Sequence, residues 1–197
     1  MAVQTVLGVV ERNDLGIISP HEHIMIDLGS FFKAHPVRGC VDPASAPVVI
    51  ENLGVLMRDP YALLDNLLLN DPVIQKTELL YFKNAGGKTI VDATMPGIGR
   101  DALILREISR ETKLHVIMGT GFYIGTTHPE YLSDMPIDEI ADEMIKELEV
   151  GIDDTGIKAG FIGEIGISEV FDDRERRVLK AAAIAQIHND VEIHVHI

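Results

Sequence analysis

There is no tryptophan in this chain, aromatic residues make up only 5% of it, and cysteine occurs once, at Cys40. A single cysteine excludes an internal disulfide framework and fits a reducing compartment. Basic residues are scarce too: 17 Lys and Arg stand against 31 Asp and Glu, a formal charge of -14. A field of that sign repels phosphate backbones at long range, so nucleic acid is not expected as a partner. No apolar run approaches the roughly 18 residues that span a bilayer, and the chain does not open with a basic stretch followed by a continuous apolar segment. No membrane partner is expected, and the cytoplasm is the expected compartment. A Gly-rich phosphate fingerprint after the first strand is also missing, which removes the motif of a dinucleotide site.

What is present is a globular chain of 197 residues, 46% hydrophobic and 24% charged, without low-complexity runs or repeats. That length reads as a single domain over residues 1–197. "TVLGVV" and "LGIISPHEHIMI" read as strands hairpinned about the polar residues 11–14, the second being a first core strand. Gly29, Pro36, Gly39, Pro43, Pro47 and Pro60 punctuate residues 29–60, which implies a long excursion with one short helix.

From Asp71 the pattern becomes regular. "DPVIQKTELLYFKNAGG" has a helix start at Asp71 and Pro72 and a glycine stop. "KTIVDAT" reads as a buried strand, "DALILREISRETK" as a helix opened by Asp101, and "LHVIMGTG" as a strand. "PIDEIADEMIKELEVGID" is a helix, "AGFIGEIG" a strand, "DDRERRVLKAAAIAQIHND" a helix and "VEIHVHI" a strand. This alternation implies βαβ units on a parallel sheet covered by helices. Polar residues at the strand ends, namely His23, Asp92, Glu164 and His196, favour a (β/α)8 TIM barrel, whose chemistry gathers at that rim, over an open sheet.

Side chains two apart on a strand share a face, so His21 and His23 project together and Glu22 points away. Two imidazoles on one rigid strand can grip a divalent metal at about 2.0–2.1 Å, although a surface or hydrogen-bonded core pair has the same spacing. Glu164, set among apolar residues and glycines, needs a metal, a cation or dense hydrogen bonding to offset burial; a structural salt bridge would also serve. Gly163 and Gly166 let something approach the backbone closely. The last strand adds His194 and His196. Imidazoles and a carboxylate converging from three strands favour metal binding, with His196 as ligand and His194 in a deeper layer or a supporting role. Asp92 either hydrogen-bonds a metal-bound histidine or caps the following loop. Tyr123 lines a substrate pocket or packs. His35, His115, His128 and His188 show no partner pattern, and Lys158 reads as solvated.

These segments, "TVLGVV…DLGIISPHEHIMID", "TIVDATMPGIGRD", "GTGFYIG", "AGFIGEIGIS" and the terminal "HVHI", resemble in order and spacing the phosphotriesterase-related proteins of the amidohydrolase superfamily. The resemblance covers essentially the whole chain. It implies a (β/α)8 barrel with two divalent metal ions at its rim, commonly zinc, with manganese, cobalt or iron as alternatives. It also implies that His21 and His23 hold the more buried metal, that Glu164 bridges the pair and that His196 holds the second. Many members bridge with a carboxylated lysine, whose gapless counterpart here is Gly163, beside Glu164. Members run on for about a hundred residues more, with a further histidine on strand six and an aspartate on strand eight that handles the proton.

About five of eight strands are counted in this chain, against roughly 250 residues for a complete barrel. The expectation is therefore an incomplete barrel, the N-terminal portion of one hydrolase domain, with its aspartate base beyond Ile197. Exposed strand edges would favour association, a dimer being expected. The implied activity is hydrolysis of a lactone, the preferred substrate, or a phosphoester by a hydroxide bridging two metals. A TatD-like nuclease also combines an HxH strand with a "GEIG" strand, but the charge and the lead-in segment oppose it. A catalytically inactive, metal-binding fragment is the third alternative.

Overall fold

The computed structural model describes residues 2–33 and 42–197; Met1 and residues 34–41, with His35 and Cys40 among them, lie outside the described residues. The chain opens with β1 (Ala2–Thr5) and β2 (Gly8–Glu11), an antiparallel hairpin. The sequence places that turn at residues 11–14, and the structure corrects it. Thr5 closes the turn, its hydroxyl donating to Gly8 O at 2.7 Å and accepting from Leu7 N at 3.3 Å, while Gly8 takes φ +115°, a conformation open to glycine. Residues 12–14 form a short 3₁₀ turn instead.

The predicted strand over 15–26 divides into β3 (Ile17–Glu22) and the two-residue β4 (Ile26–Asp27). Among its described residues the excursion that follows holds one short α-helix, α1 (Leu53–Leu56), besides 3₁₀ turns, and returns as β5 (Leu68–Leu69), which pairs antiparallel with β4. Regular alternation then sets in: α2 (Pro72–Asn84), β6 (Gly87–Asp92), α3 (Ala102–Thr112), β7 (His115–Thr120), α4 (Ile137–Glu149), β8 (Phe161–Gly166), α5 (Asp173–Asn189) and β9 (Ile193–His196).

Three helices begin where an aspartate satisfies free backbone amides. Asp71 accepts from Val73 N and Ile74 N, Asp101 from Ile104 N, and Asp172 from Arg174 N and Glu175 N. The main sheet has the order β3-β6-β7-β8-β9 with every pair parallel, so each crossover carries a helix across one face. This is a parallel five-stranded half-barrel, as expected of an incomplete (β/α)8 barrel.

Two apolar clusters fill the space between helices and sheet, one around Leu105, Ile108, Val116 and Met118, the other around Ile140, Met144, Ile162, Ile165 and Ala181. The opposite face of the sheet is covered at its N-terminal end by the β1–β2 hairpin. There Val3 and Val10 pack on Leu15, Val91, Ile117 and Phe161, and Val6 N donates to Val116 O. The hairpin leaves the other end of the strands to polar side chains. Among the described residues no helix is long and apolar enough to cross a membrane.

Candidate metal centre

Glu164 lies within β8, where all six residues are buried, and its side chain is 2% exposed. Two backbones crowd it. A Cβ on Gly163, at φ +126°, would stand 2.5 Å from His194 O, and one on Gly166 2.4 Å from Ile124 N. The close approach inferred at these glycines is thus made by β9 and by the loop after β7. Position 163 has no room for a lysine, so the carboxylate of this site belongs to Glu164.

Three imidazoles meet that carboxylate. His21 Nε2 lies 3.0 Å from Glu164 Oε2, His23 Nε2 3.5 Å from Oε1, and His196 Nδ1 3.1 Å from Oε2. Donor atoms of His21, His23 and Glu164 all fall within 4.8 Å of one another. The β3–β6 ladder sets this geometry up. Its register slips between Ser19 and Glu22, where Pro20 lacks an N–H, and Ala93 N donates to Glu22 O at 2.8 Å just before His23. Glu22 is exposed and accepts from the Ser19 hydroxyl instead of joining the cluster. On β9, His196 is paired with Gly166.

The electrostatics suit a cation. Burial, with some help from the positive field of His21, lowers His23 to about 4, so its ring is neutral and has a lone pair at neutral pH. Burial raises the Glu164 carboxyl, and His196 and His21 oppose that shift. A buried carboxylate ringed by imidazole nitrogens is a donor set that a divalent ion satisfies and that water alone does not.

The remaining predicted residues surround this centre at different distances. Tyr123 sets its ring edge-on to His196, 5.2 Å between centroids, and burial raises its hydroxyl. His194 packs its ring on Phe161 at 4.6 Å. Asp92 is fully buried and accepts from Ile24 N at 2.7 Å and Thr94 N at 3.1 Å, so of its two expected roles the structure shows the loop-holding one; among the described residues its hydrogen bonds go to backbone amides and not to a histidine. His128 binds Tyr123 O at 2.8 Å and His188 pairs with Glu149 on the surface, both away from the cluster; Lys158 is half-buried.

Two features escaped sequence reasoning. Thr94 lies 3.1 Å from His23 Nδ1, and its only sequence signal is its place two residues after Asp92. Arg100 and Glu147 form a buried bidentate pair at 2.7 and 2.6 Å, further joined by the Thr120 hydroxyl and Gly119 O. A cavity of about 480 Å³, lined by Gly125, His128, Leu132, Arg174 and Arg177, lies off to one side, and none of the cluster residues line it.

The model of a family described as the phosphotriesterase family matches residues 1–197. N-acetyltaurine hydrolases from Rattus norvegicus and Homo sapiens are 40% and 38% identical, each aligned over 98% of this chain and 56% of its own length. The chain therefore spans about half the length of the curated relatives it matches. A resiniferatoxin-binding protein from Rhodobacter sphaeroides superposes with a TM-score of 0.95 at 37% identity, covering 100% of this chain and 55% of that one. A phosphotriesterase homology protein from Escherichia coli, with phosphate in its active site, gives 0.71 at 29% identity over 93% of this chain and 53% of its own. A lactonase from Listeria monocytogenes, at 23% identity and a TM-score of 0.74, shares the fold.

Proposed function

Because the chain belongs to the phosphotriesterase family, we propose that it is the N-terminal portion of a metal-dependent hydrolase that cleaves an acyl bond in a small molecule. The observation that carries this reading is the convergence of His21, His23 and His196 on the buried Glu164. In it, His21 and His23 hold one divalent cation, His196 a second, and Glu164 lies between them; zinc is the first choice for such nitrogen and oxygen donors. When bound, such cations would supply water of lowered pKa and a Lewis acid for the scissile carbonyl. The chain's own part is to keep His23 neutral, to hold the Glu164 carboxyl group between the histidines, and to place Tyr123 beside His196 as one wall of the substrate pocket.

The substrate we favour is an amide of an N-acylated small amine, because relatives at 36–40% identity are named N-acetyltaurine hydrolases; a lactone is the second choice, as the family resemblance of the sequence implies. The lactone or phosphoester expected from the sequence stands beside the amide as a substrate to be tested. The same reading keeps the protein cytoplasmic and dimeric, which cell fractionation and light scattering would check. The direct test assays the full-length protein, supplied with zinc or manganese, against N-acetyltaurine, a lactone panel and single-stranded DNA. Hydrolysis of the first, lost in Glu164→Gln together with cation binding, is the expected result. Cleavage of DNA would establish the nuclease alternative, and cation binding without turnover the inactive one.

A further inference from the structure

The end of the sheet away from the metal centre gathers charge of the opposite sign. There the β1–β2 hairpin, the second half of α3 and the segment before β8 line a cavity of about 340 Å³, with Gln4, Gly8, Arg106, Arg110, Gly156 and Lys158 at its walls and no carboxylate among its lining residues. Elsewhere cations are paired: Lys76 with Glu111, Arg100 with Glu147 and Arg174 with Asp172. Arg106, Arg110 and Lys158 make no hydrogen bond or ion pair among the described residues, in a chain whose formal charge is -14. Arg106 and Arg110 also stand one turn apart on α3, a like-charge spacing that costs helix stability unless an anion lies between them.

The walls are fixed by their own hydrogen bonds. Thr5 closes the hairpin turn, and on the facing segment Ile152 N donates to Ile157 O at 2.8 Å while the Thr155 hydroxyl donates to Ile152 O at 2.6 Å and accepts from Ile157 N at 3.1 Å. Arg106 and Lys158 are half-buried, so their charges stand partly out of water. Gln4 Nε2 donates to Thr5 O at 2.7 Å and has a second N–H to offer. A Cβ on Gly8 or Gly156 would meet nothing within 4 Å, which leaves the backbone open to a ligand at both. We propose that this cavity binds a small phosphate-bearing anion. Two guanidinium forks match phosphate oxygens in pairs, and three cations call for a ligand of more than one negative charge. The volume lies at the lower end of the roughly 300–1,000 Å³ typical of ligand sites, and the overall negative field opposes a long polyanion. Such a ligand would join α3, the hairpin and the approach to β8, and stabilise the folded chain by mass action.

The site is independent of the metal reading, and the test keeps the two apart. Full-length protein stripped of divalent cations is titrated calorimetrically with pyrophosphate, and with inorganic phosphate as the smaller probe, at an ionic strength held constant with sodium chloride. Equimolar binding of pyrophosphate is expected, weakened roughly tenfold or more in the double variant Arg106→Gln/Arg110→Gln and in Lys158→Gln. Arg106→Lys/Arg110→Lys, which keeps the charge without the fork, should recover part of the loss. Lys180→Gln removes an exposed charge from α5 and should leave the affinity unchanged. Lys158→Gln gives a second route if the double variant does not fold. Absence of binding in the wild type, equal affinity in the folded cavity variants, or an equal loss in Lys180→Gln would each overturn the proposal. So would pyrophosphate binding that is lost in Glu164→Gln and kept in the cavity variants, which would place the anion at the metal centre. A single-stranded oligonucleotide bound as tightly as pyrophosphate through the same three residues would overturn the small-molecule assignment.

Discussion

In β8 all six residues are buried, and in β6 five of six; in β3 five of six are exposed, and β9 buries none of its four. Ile17 is 62% exposed, Ile18 41% and Val195 43%, on strands with one hydrogen-bonded neighbour each. Parallel strands are stable when both faces and both edges are covered, a condition met by the middle of this sheet and not by its margins. The candidate site draws on both kinds of strand. The packed centre holds the carboxylate where water cannot compete for it, and the open margins bring the imidazoles to it with side chains still 44–45% exposed at His196 and His21. The middle strands contribute rigidity, and the outer ones access.

The contrast can be broken at its centre. Glu147 binds Arg100 with both oxygens and also accepts from Thr120 at the end of β7, tying the middle strands to α4. Glu147→Ala would leave a buried guanidinium without its partner and should cost about 3–5 kcal/mol in urea unfolding. A loss under 1 kcal/mol would show that water reaches the pair.

A smaller effect comes from Asp92, where β6 meets the outer strand β3. Burial, its largest cause, raises this carboxyl from 3.8 to about 6. The folded state therefore binds the proton more tightly than the unfolded chain, so the contribution to stability is complete below about pH 4 and is lost as pH rises through 6. Two units correspond to about 3 kcal/mol. The stability advantage of wild type over Asp92→Asn should shrink by up to that amount between pH 4 and 7 in cation-free protein, and a pH-independent difference would contradict it. The smallest effect belongs to the margins. Ile17→Thr and Val195→Thr keep β-branching at exposed positions and should change stability by no more than about 0.5 kcal/mol. They should nevertheless reduce self-association in sedimentation velocity; a large stability loss would mean that these edges are covered in solution.

Much of this was legible in the sequence where one local rule acted alone. Asp71 and Asp101 announced their helices because capping is a contact within three residues. Glu164 stood out because a lone carboxylate in an apolar run has few structural explanations. The hairpin was misplaced because "TVLGVV" is apolar throughout, and periodicity cannot locate a turn within it; Thr5 and Gly8 were the available signals. Thr94 and the Arg100–Glu147 pair were invisible for another reason. Their partners lie 71 and 47 residues away, and only the sheet brings them together.

The carboxylate of Glu164 is arranged as a hub with three spokes: Oε2 serves His21 and His196, and Oε1 serves His23. Losing any one histidine would leave two spokes joined through the same centre, whereas losing the hub would disconnect all three at once. Tolerance to change across this site should therefore be lopsided, each histidine costing its own share of the site and the single acid costing all of it.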